Sequence, residues 1–235
     1  VDVDRLAPAQ RDSCRTRLIA HQSWRELLFL HFEIPAAELQ ARLPPGLQAD
    51  TFEGRAYIGL VPFTMRDVRV GPTGVGDFLE TNLRTYVHAG GVPGVWFFSL
   101  DAASRLAVWG ARLIYRLPYF HARMRSASGE GVTQYAFHRL SGPEANLDIQ
   151  WTVLDASAHT ALPGALEHFL TERYALYGQS KSGIYRVRVH HPQWPLRSAR
   201  VDRLTTSVLS AAGFKEGEPI DLVLASPAGV SVETF

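Results

Sequence analysis

Lysine is nearly missing from this chain of 235 residues: of its 24 lysines and arginines, only Lys181 and Lys215 are lysines. A side-chain amine nucleophile can therefore come from just two positions. Cysteine occurs once, as Cys14, which excludes an intramolecular disulfide and any cysteine-based metal cluster and fits a reducing compartment. No apolar run approaches the ~20 residues that a membrane-spanning helix needs, and no charged segment followed by an apolar stretch opens the sequence. A cytoplasmic location is the expectation. The formal net charge is only +1, so there is no overall basic field to draw in nucleic acid or an anionic membrane, and neither is expected as a partner. Metal-ligand spacings of the H-E-x-x-H type are missing as well. His190 and His191 are adjacent, and on a strand such neighbours point to opposite faces, so no metal and no cofactor is expected.

What the sequence does contain is ordinary for a globular protein, with 46% hydrophobic and 20% charged residues. No repeat, low-complexity tract or linker divides it. Residues 1–20 are polar and arginine-rich and read as an N-terminal arm, leaving one domain over 21–235. Trp24 to Ile34 reads as a buried strand, and Pro35 opens a short helix with Leu39 and Leu43 on one side. A hairpin turning at Glu53-Gly54 leads into a long strand interrupted at Pro62. Gly71 to Asp77, GPTGVGD, lacks the order of a phosphate-binding loop and reads as a plain mobile loop, whose functional variant would be a lid over a pocket. Leu79–Val87 and Gly94–Leu100 form a strand pair joined through glycines. Asp101 to Arg116 is the clearest helix, capped by Asp101 or Ser104, with Leu106, Trp109 and Leu113 in its apolar stripe. Strands follow near 121–126, 132–139 and 147–154, then a second helix over Gly164–Tyr177, then strands near 184–189, 199–208 and 220–225. Many strands with two or three helices predict an α+β fold, a single domain built on a highly curved β-sheet or barrel.

The chemistry concentrates between Phe78 and Met124. Glu80 lies on an alternating strand, facing either a barrel interior or solvent, where Arg84 could pair with it. Arg112 sits near the C-terminal end of the clearest helix, where a structural ion pair competes with a role in holding a substrate carboxylate. The aromatics Tyr86, Trp96, Phe97, Phe98, Tyr115, Tyr119 and Phe120 crowd this region without interleaved basic residues, which suits a core and an apolar pocket better than a nucleic-acid stacking platform. Ser99, Asp101 and His121 could be assembled into a hydrolase triad on paper, but there is no G-x-S-x-G elbow.

These residues carry a resemblance. Phe78 and Glu80, Gly91 and Gly94, the aromatic run Trp96 to Phe98, Asp101, Ala111-Arg112 and the turn Tyr115-Arg116-Leu117-Pro118 resemble, in order, the pattern of the acetoacetate decarboxylase-like superfamily. LPPGL at 43–47, LTERYALY at 170–177 and HHPQWPL at 190–196 are similar to its YqjF-like branch, an uncharacterised family with a domain of unknown function. The resemblance spans most of the chain after His21 and implies that superfamily's curved sheet. In the decarboxylases the residue after the turn proline is the lysine that forms an imine with the substrate ketone. Here it is Tyr119, and a phenol cannot form an imine. Lys181, in the polar stretch GQSKSG, is placed for solvent.

The expectation is an apolar, aromatic-lined pocket for a small organic acid or carbonyl compound, serving a lyase-like enzyme without the Schiff-base lysine. Glu80 and Tyr119 are the candidate catalytic residues. Arg112, Trp96, Phe98, Tyr115, Phe120 and His121 are the candidate substrate-binding residues. Two alternatives stand beside it: a non-catalytic small-molecule binding or sensing module, and a structural subunit of a homo-oligomer.

Overall fold

The computed structural model describes residues 19–71 and 73–235. The expected N-terminal arm and Cys14 lie outside the described residues, apart from the last two positions of the arm, which lead into the first strand. Fourteen strands and four helices follow in order: β1 (Ala20–Arg25), β2 (Leu27–Ile34), α1 (Ala36–Gln40), β3 (Gln48–Ala49), β4 (Ala56–Val70), β5 (Thr73–Ala89), β6 (Val92–Ala102), α2 (Arg105–Ile114), β7 (Tyr119–Gly129), β8 (Val132–Arg139), β9 (Asn146–Val153), α3 (Leu166–Thr171), β10 (Ala175–Ser180), β11 (Gly183–His190), β12 (Arg197–Thr206), α4 (Val208–Ala211), β13 (Leu224–Ser226) and β14 (Val230–Thr234).

All fourteen strands belong to one strongly curved sheet, and its pairings run in two circuits. One passes through β4, β1, β14, β11, β10, β6 and β5 and returns to β4. The other leaves β6 through β7, β8, β9, β12, β13 and β2 before meeting β4 and β5 again. The long strands β4 and β5, with β6, are a wall common to both. Because successive side chains on a strand point to opposite faces, this wall feeds two interiors. Ala56, Ile58 and Leu60 of β4 and Leu83 and Val87 of β5 join Leu30, Phe32, Tyr135, Phe137, Ile149 and Trp151 in a solid core inside the second circuit. Val61, Phe63 and Met65 of β4 and Tyr86 of β5 belong to two smaller clusters on the opposite face of the wall.

Local chemistry accounts for the joints. The segment 24–34 is two strands, because Glu26 adopts φ 51° between β1 and β2. Pro62 does not interrupt β4. It falls between Leu60, paired with β2, and Thr64, paired with β1, so its missing N–H sits where β4 changes partner. Glu53 and Gly54, at φ 50° and 81°, make the two-residue turn expected of them, and Gly90 and Gly91 (57° and 78°) close the β5–β6 hairpin in the same way. The glycine-rich stretch after Gly71 is not a free loop: Thr73, Gly74 and Gly76 pair with Val70, Arg69 and Val68 across register shifts, extending the β4–β5 hairpin.

Three expected elements are corrected. The helix over 164–177 is only α3, because Ala175–Ser180 turns into β10 and pairs with both β11 and β6. The strand near 220–225 shrinks to β13, and β14 was not foreseen. Asp101 does not cap α2. It ends inside β6 as a buried carboxylate held by two hydrogen bonds from Arg139, 2.6 Å from Nε and 2.7 Å from Nη2, while Ser104 caps the helix by accepting from Ala107 N at 3.2 Å. The apolar stripe of α2 also faces outward. Leu106, Trp109 and Leu113 are 59%, 66% and 65% exposed, and the helix is moored through Val108 instead. No helix among the described residues is long and apolar enough to cross a membrane.

Candidate functional site

The first circuit is not filled. It surrounds a cavity of about 370 Å³ whose lining comes from every one of its strands, from α2 and from the segment after α3. Much of the wall is apolar: Met65 and Val68, Val75 and Phe78, Val95 and Phe97, Leu176, Val189 and Val232. Leu106 and Trp109 line it while remaining largely exposed, so α2 lies across its mouth.

Much of the polar lining comes from one face of β5. Its inward residues run Phe78, Glu80, Asn82, Arg84, two apart, as the strand period requires. The intervening Thr81 points into the opposite side of the wall, where its hydroxyl donates to Tyr135 Oη at 3.2 Å. Glu80 is 1% exposed, and its Oε2 has no hydrogen-bond partner. Its Oε1 faces the Tyr119 hydroxyl at 3.5 Å. Burial raises the Glu80 pKa to about 8; the Tyr119 hydroxyl works against that rise, and the Asp101 charge adds to it. Glu80 is thus mainly a neutral acid at pH 7. Burial, followed by the nearby Glu80 carboxyl, pushes Tyr119 well above the usual phenol range, so it stays a hydrogen-bond donor.

Beyond Glu80 the side chains remain unsatisfied. Asn82 is fully buried, with neither its amide nitrogen nor its oxygen partnered. Arg84 donates from Nη2 to Leu170 O at 3.1 Å and lies 5.3 Å over the Phe29 ring, but its Nε is orphaned and it enters no ion pair among the described residues. Arg173, whose guanidinium lies 5.1 Å from the Tyr86 ring that Arg84 also approaches, pairs with Asp50 at 2.7 Å and still leaves Nη2 without a partner. The indole N–H groups of Trp24 and Trp194 are also free inside the lining. Buried polar atoms are normally satisfied. Here several such unmet groups surround one void.

Of the residues singled out in the sequence, Glu80, Tyr119 and Tyr115 meet in this cavity, the last with its hydroxyl 2.9 Å from Thr234 Oγ1. Trp96 and Phe98 do not line it. They occupy the opposite face of β6 from Val95 and Phe97 and pack against the solid core. The next residue after Tyr119, Phe120, likewise turns away, to lie 4.1 Å from the Arg139 guanidinium. His121 is outside the lining as well. Arg112 is exposed and not a lining residue, but its Nε donates to Tyr119 O at 2.7 Å, tying α2 to the start of β7. Lys181 and Lys215 are both exposed and away from the cavity. No group of three or more histidine, cysteine, aspartate or glutamate side chains able to hold a metal occurs among the described residues. As lining residues Asn82, Arg84, Arg173 and His191 were not foreseen: Arg84 entered only as a partner for Glu80, His191 as a metal candidate, and Arg173 only within a family motif, although alternation starting from Glu80 was enough to find Asn82 and Arg84.

Sequence comparison settles the family. The model of DUF2071, an uncharacterized conserved protein, matches residues 21–229. The chain belongs to the DUF2071 family. It is 37% identical over 209 residues to the uncharacterized protein YqjF of Bacillus subtilis (strain 168), covering 86% of each chain. Among solved structures, this DUF2071 protein is similar to the acetoacetate decarboxylase of Legionella pneumophila (TM-score 0.63, 13% identity, 96% and 91% of the two chains). It is also similar to an acetoacetate decarboxylase-like enzyme of Sphingomonas wittichii RW1 (0.63, 14%, 97% and 95%) and to the enduracididine biosynthesis enzyme MppR complexed with pyruvate (0.61, 14%, 97% and 91%). These likenesses establish that the DUF2071 chain has the acetoacetate decarboxylase-like fold.

Proposed function

We propose that the cavity of this DUF2071 protein binds a small carbonyl compound or organic acid and that Glu80 moves a proton to and from the carbon next to the carbonyl, with Tyr119 donating a hydrogen bond to the carbonyl oxygen. The observation that carries this reading is the Glu80–Tyr119 pair itself: a titratable carboxyl with a free Oε2 and a phenol that stays protonated, side by side on a buried wall. As the carbon loses its proton to the Glu80 carboxylate, charge grows on the carbonyl oxygen, where the Tyr119 O–H stabilises it. Reprotonation from Glu80 restores the ligand. No imine is required, in keeping with the absence of lysine from the lining. A thermal-shift screen of oxo acids, dicarbonyls and aromatic acids identifies ligands. Proton-for-deuteron exchange at the carbon beside the carbonyl, followed by NMR in deuterated water, then reports the chemistry. Exchange should quicken as pH rises through about 8, where Glu80 ionises, and should vanish in Glu80→Gln. Unchanged exchange in that variant sinks the reading.

The missing amine also favours a second reading, a binding or sensing module. Its signature is a ligand that shifts the melting temperature and shows no exchange at any pH.

A further inference from the structure

The cationic end of the cavity has no part in that proton transfer. Arg84 is 4% exposed and Arg173 8%, and a buried guanidinium without a carboxylate is costly to desolvate. Arg173 offsets this with Asp50. Arg84 has one backbone contact, the Leu170 carbonyl, beside the Tyr86 hydroxyl and aromatic rings. A purely structural tether for α3 would need that one contact and would be served as well by a neutral donor. Arg84 instead presents an orphaned Nε on a face shared with the wholly unpartnered amide of Asn82, and Arg173 adds an orphaned Nη2. A planar anion that accepts from several N–H groups at once satisfies this set, and carboxylate geometry fits it.

We infer that Arg84, with Asn82 and Arg173, anchors the carboxylate of the ligand, and that the ligand is an oxo acid whose carboxylate and carbonyl are separated by several atoms. The separation follows from the strand. Glu80 and Arg84 are four residues apart on one face, or roughly 13 Å between Cα atoms at ~3.3 Å per residue. Their side chains stand approximately perpendicular to the sheet. Allowing about 3 Å for a hydrogen bond at each end leaves on the order of 7 Å between the two polar groups of the ligand. A 2-oxo or 3-oxo acid is too short to reach both. An acid with an apolar or aromatic spacer is long enough, and Phe97, Leu176 and Val189 line the same space. This inference rests on the assignment of Glu80 as the reacting end, but the anchor can be tested apart from it.

The probe is 4-acetylbenzoate, whose rigid ring sets the spacing, compared with 2-acetylbenzoate and with methyl 4-acetylbenzoate. Calorimetric titration should find the acid bound roughly tenfold or more tighter than its ester, the equivalent of one charge-assisted contact. 2-Acetylbenzoate should be the weaker of the two acids. Arg84→Met should erase the preference for acid over ester, and Arg84→Lys, which keeps the charge and loses the fork, should retain part of it. Near-UV circular dichroism checks that each variant is folded; if Arg84→Met is not, the Lys variant and the wild-type acid–ester pair decide. Equal affinity of acid and ester overturns the anchor, as does a preference that survives in folded Arg84→Met or a failure of both 4-acetylbenzoate and 6-oxoheptanoate to bind. Glu80→Gln separates the two proposals. It should keep the acid preference while losing deuterium exchange, so loss of exchange alone counts against neither the anchor nor the spacing.

Discussion

Glu80 is the residue on which stability and the proposed function pull apart. In the unfolded chain its carboxyl ionises near 4.5, and in the fold it holds its proton up to about 8. Between those values the folded state binds more protons than the unfolded state, so stability falls as pH rises through the window, by up to about 5 kcal/mol once both states are ionised. Glu80→Gln keeps the shape and removes the titration. The variant should therefore be the more stable protein at pH 7, by on the order of 3 kcal/mol, with the advantage shrinking toward pH 5. Urea unfolding of both proteins at several pH values measures the difference, and because it is a difference, the titration of other groups, such as the buried His31 with its lowered pKa, largely cancels. An advantage that does not change between pH 5 and 8 refutes the assignment of Glu80 as a buried neutral acid. That Glu80 and Tyr119 line one cavity was foreseen from the sequence through their place in a motif. Arg84 was not, because it was weighed only as a surface partner for Glu80, whereas it is buried against Phe29 of β2 and the Leu170 carbonyl of α3, both remote in sequence.

At the scale of elements, strand alternation was readable wherever a single strand faced a single environment, as in β8 and β9. The apolar stripe misled at α2, and alternation at Trp96 and Phe98. An apolar stripe on a helix normally marks its buried side, but α2 connects the parallel pair β6 and β7 and rests on the edge of the first circuit, so its stripe spans the mouth of a cavity and keeps much of its area in water. On β6 every apolar residue was a candidate for the pocket, since nothing local says which interior an odd or even position enters. The junction of β6 with β10 depends on close approach. Only Leu176↔Val95 and Tyr177↔Trp96 register there, and a Cβ on Gly94 would come within 2.8 Å of both Ala175 O and Tyr177 Cε2. Gly94→Ala should therefore spread this junction and destabilise the protein by roughly 1–3 kcal/mol. It should also weaken any ligand-induced thermal shift, because the strand being displaced carries Val95 and Phe97 of the cavity wall. An unaltered denaturation midpoint would show that the junction has slack.

For the whole molecule, the division of labour between the two circuits is the property least visible in sequence. Closure joins β1 to β14 and β2 to β13, pairs separated by most of the chain, and no local pattern encodes which distant strand completes a ring. The outcome is one packed interior and one hollow interior on either side of the wall formed by β4, β5 and β6. A hollow barrel with unsatisfied polar groups is a poor folding unit, since it forgoes packing and strands buried donors. Its stability has to be supplied by the wall it shares with the solid core. That sharing predicts one cooperative transition: the cavity-bearing circuit should not melt ahead of the other, and the calorimetric and van't Hoff enthalpies of unfolding should agree. Two resolved transitions, or tryptophan fluorescence (Trp24 and Trp194 around the cavity, Trp151 in the solid core) changing before far-UV ellipticity, would mean that the hollow circuit opens independently. A ligand that satisfies Arg84 and Asn82 should then raise the temperature of the single transition and leave its cooperativity intact, because the groups it pairs with sit on β5, inside the wall that both interiors use.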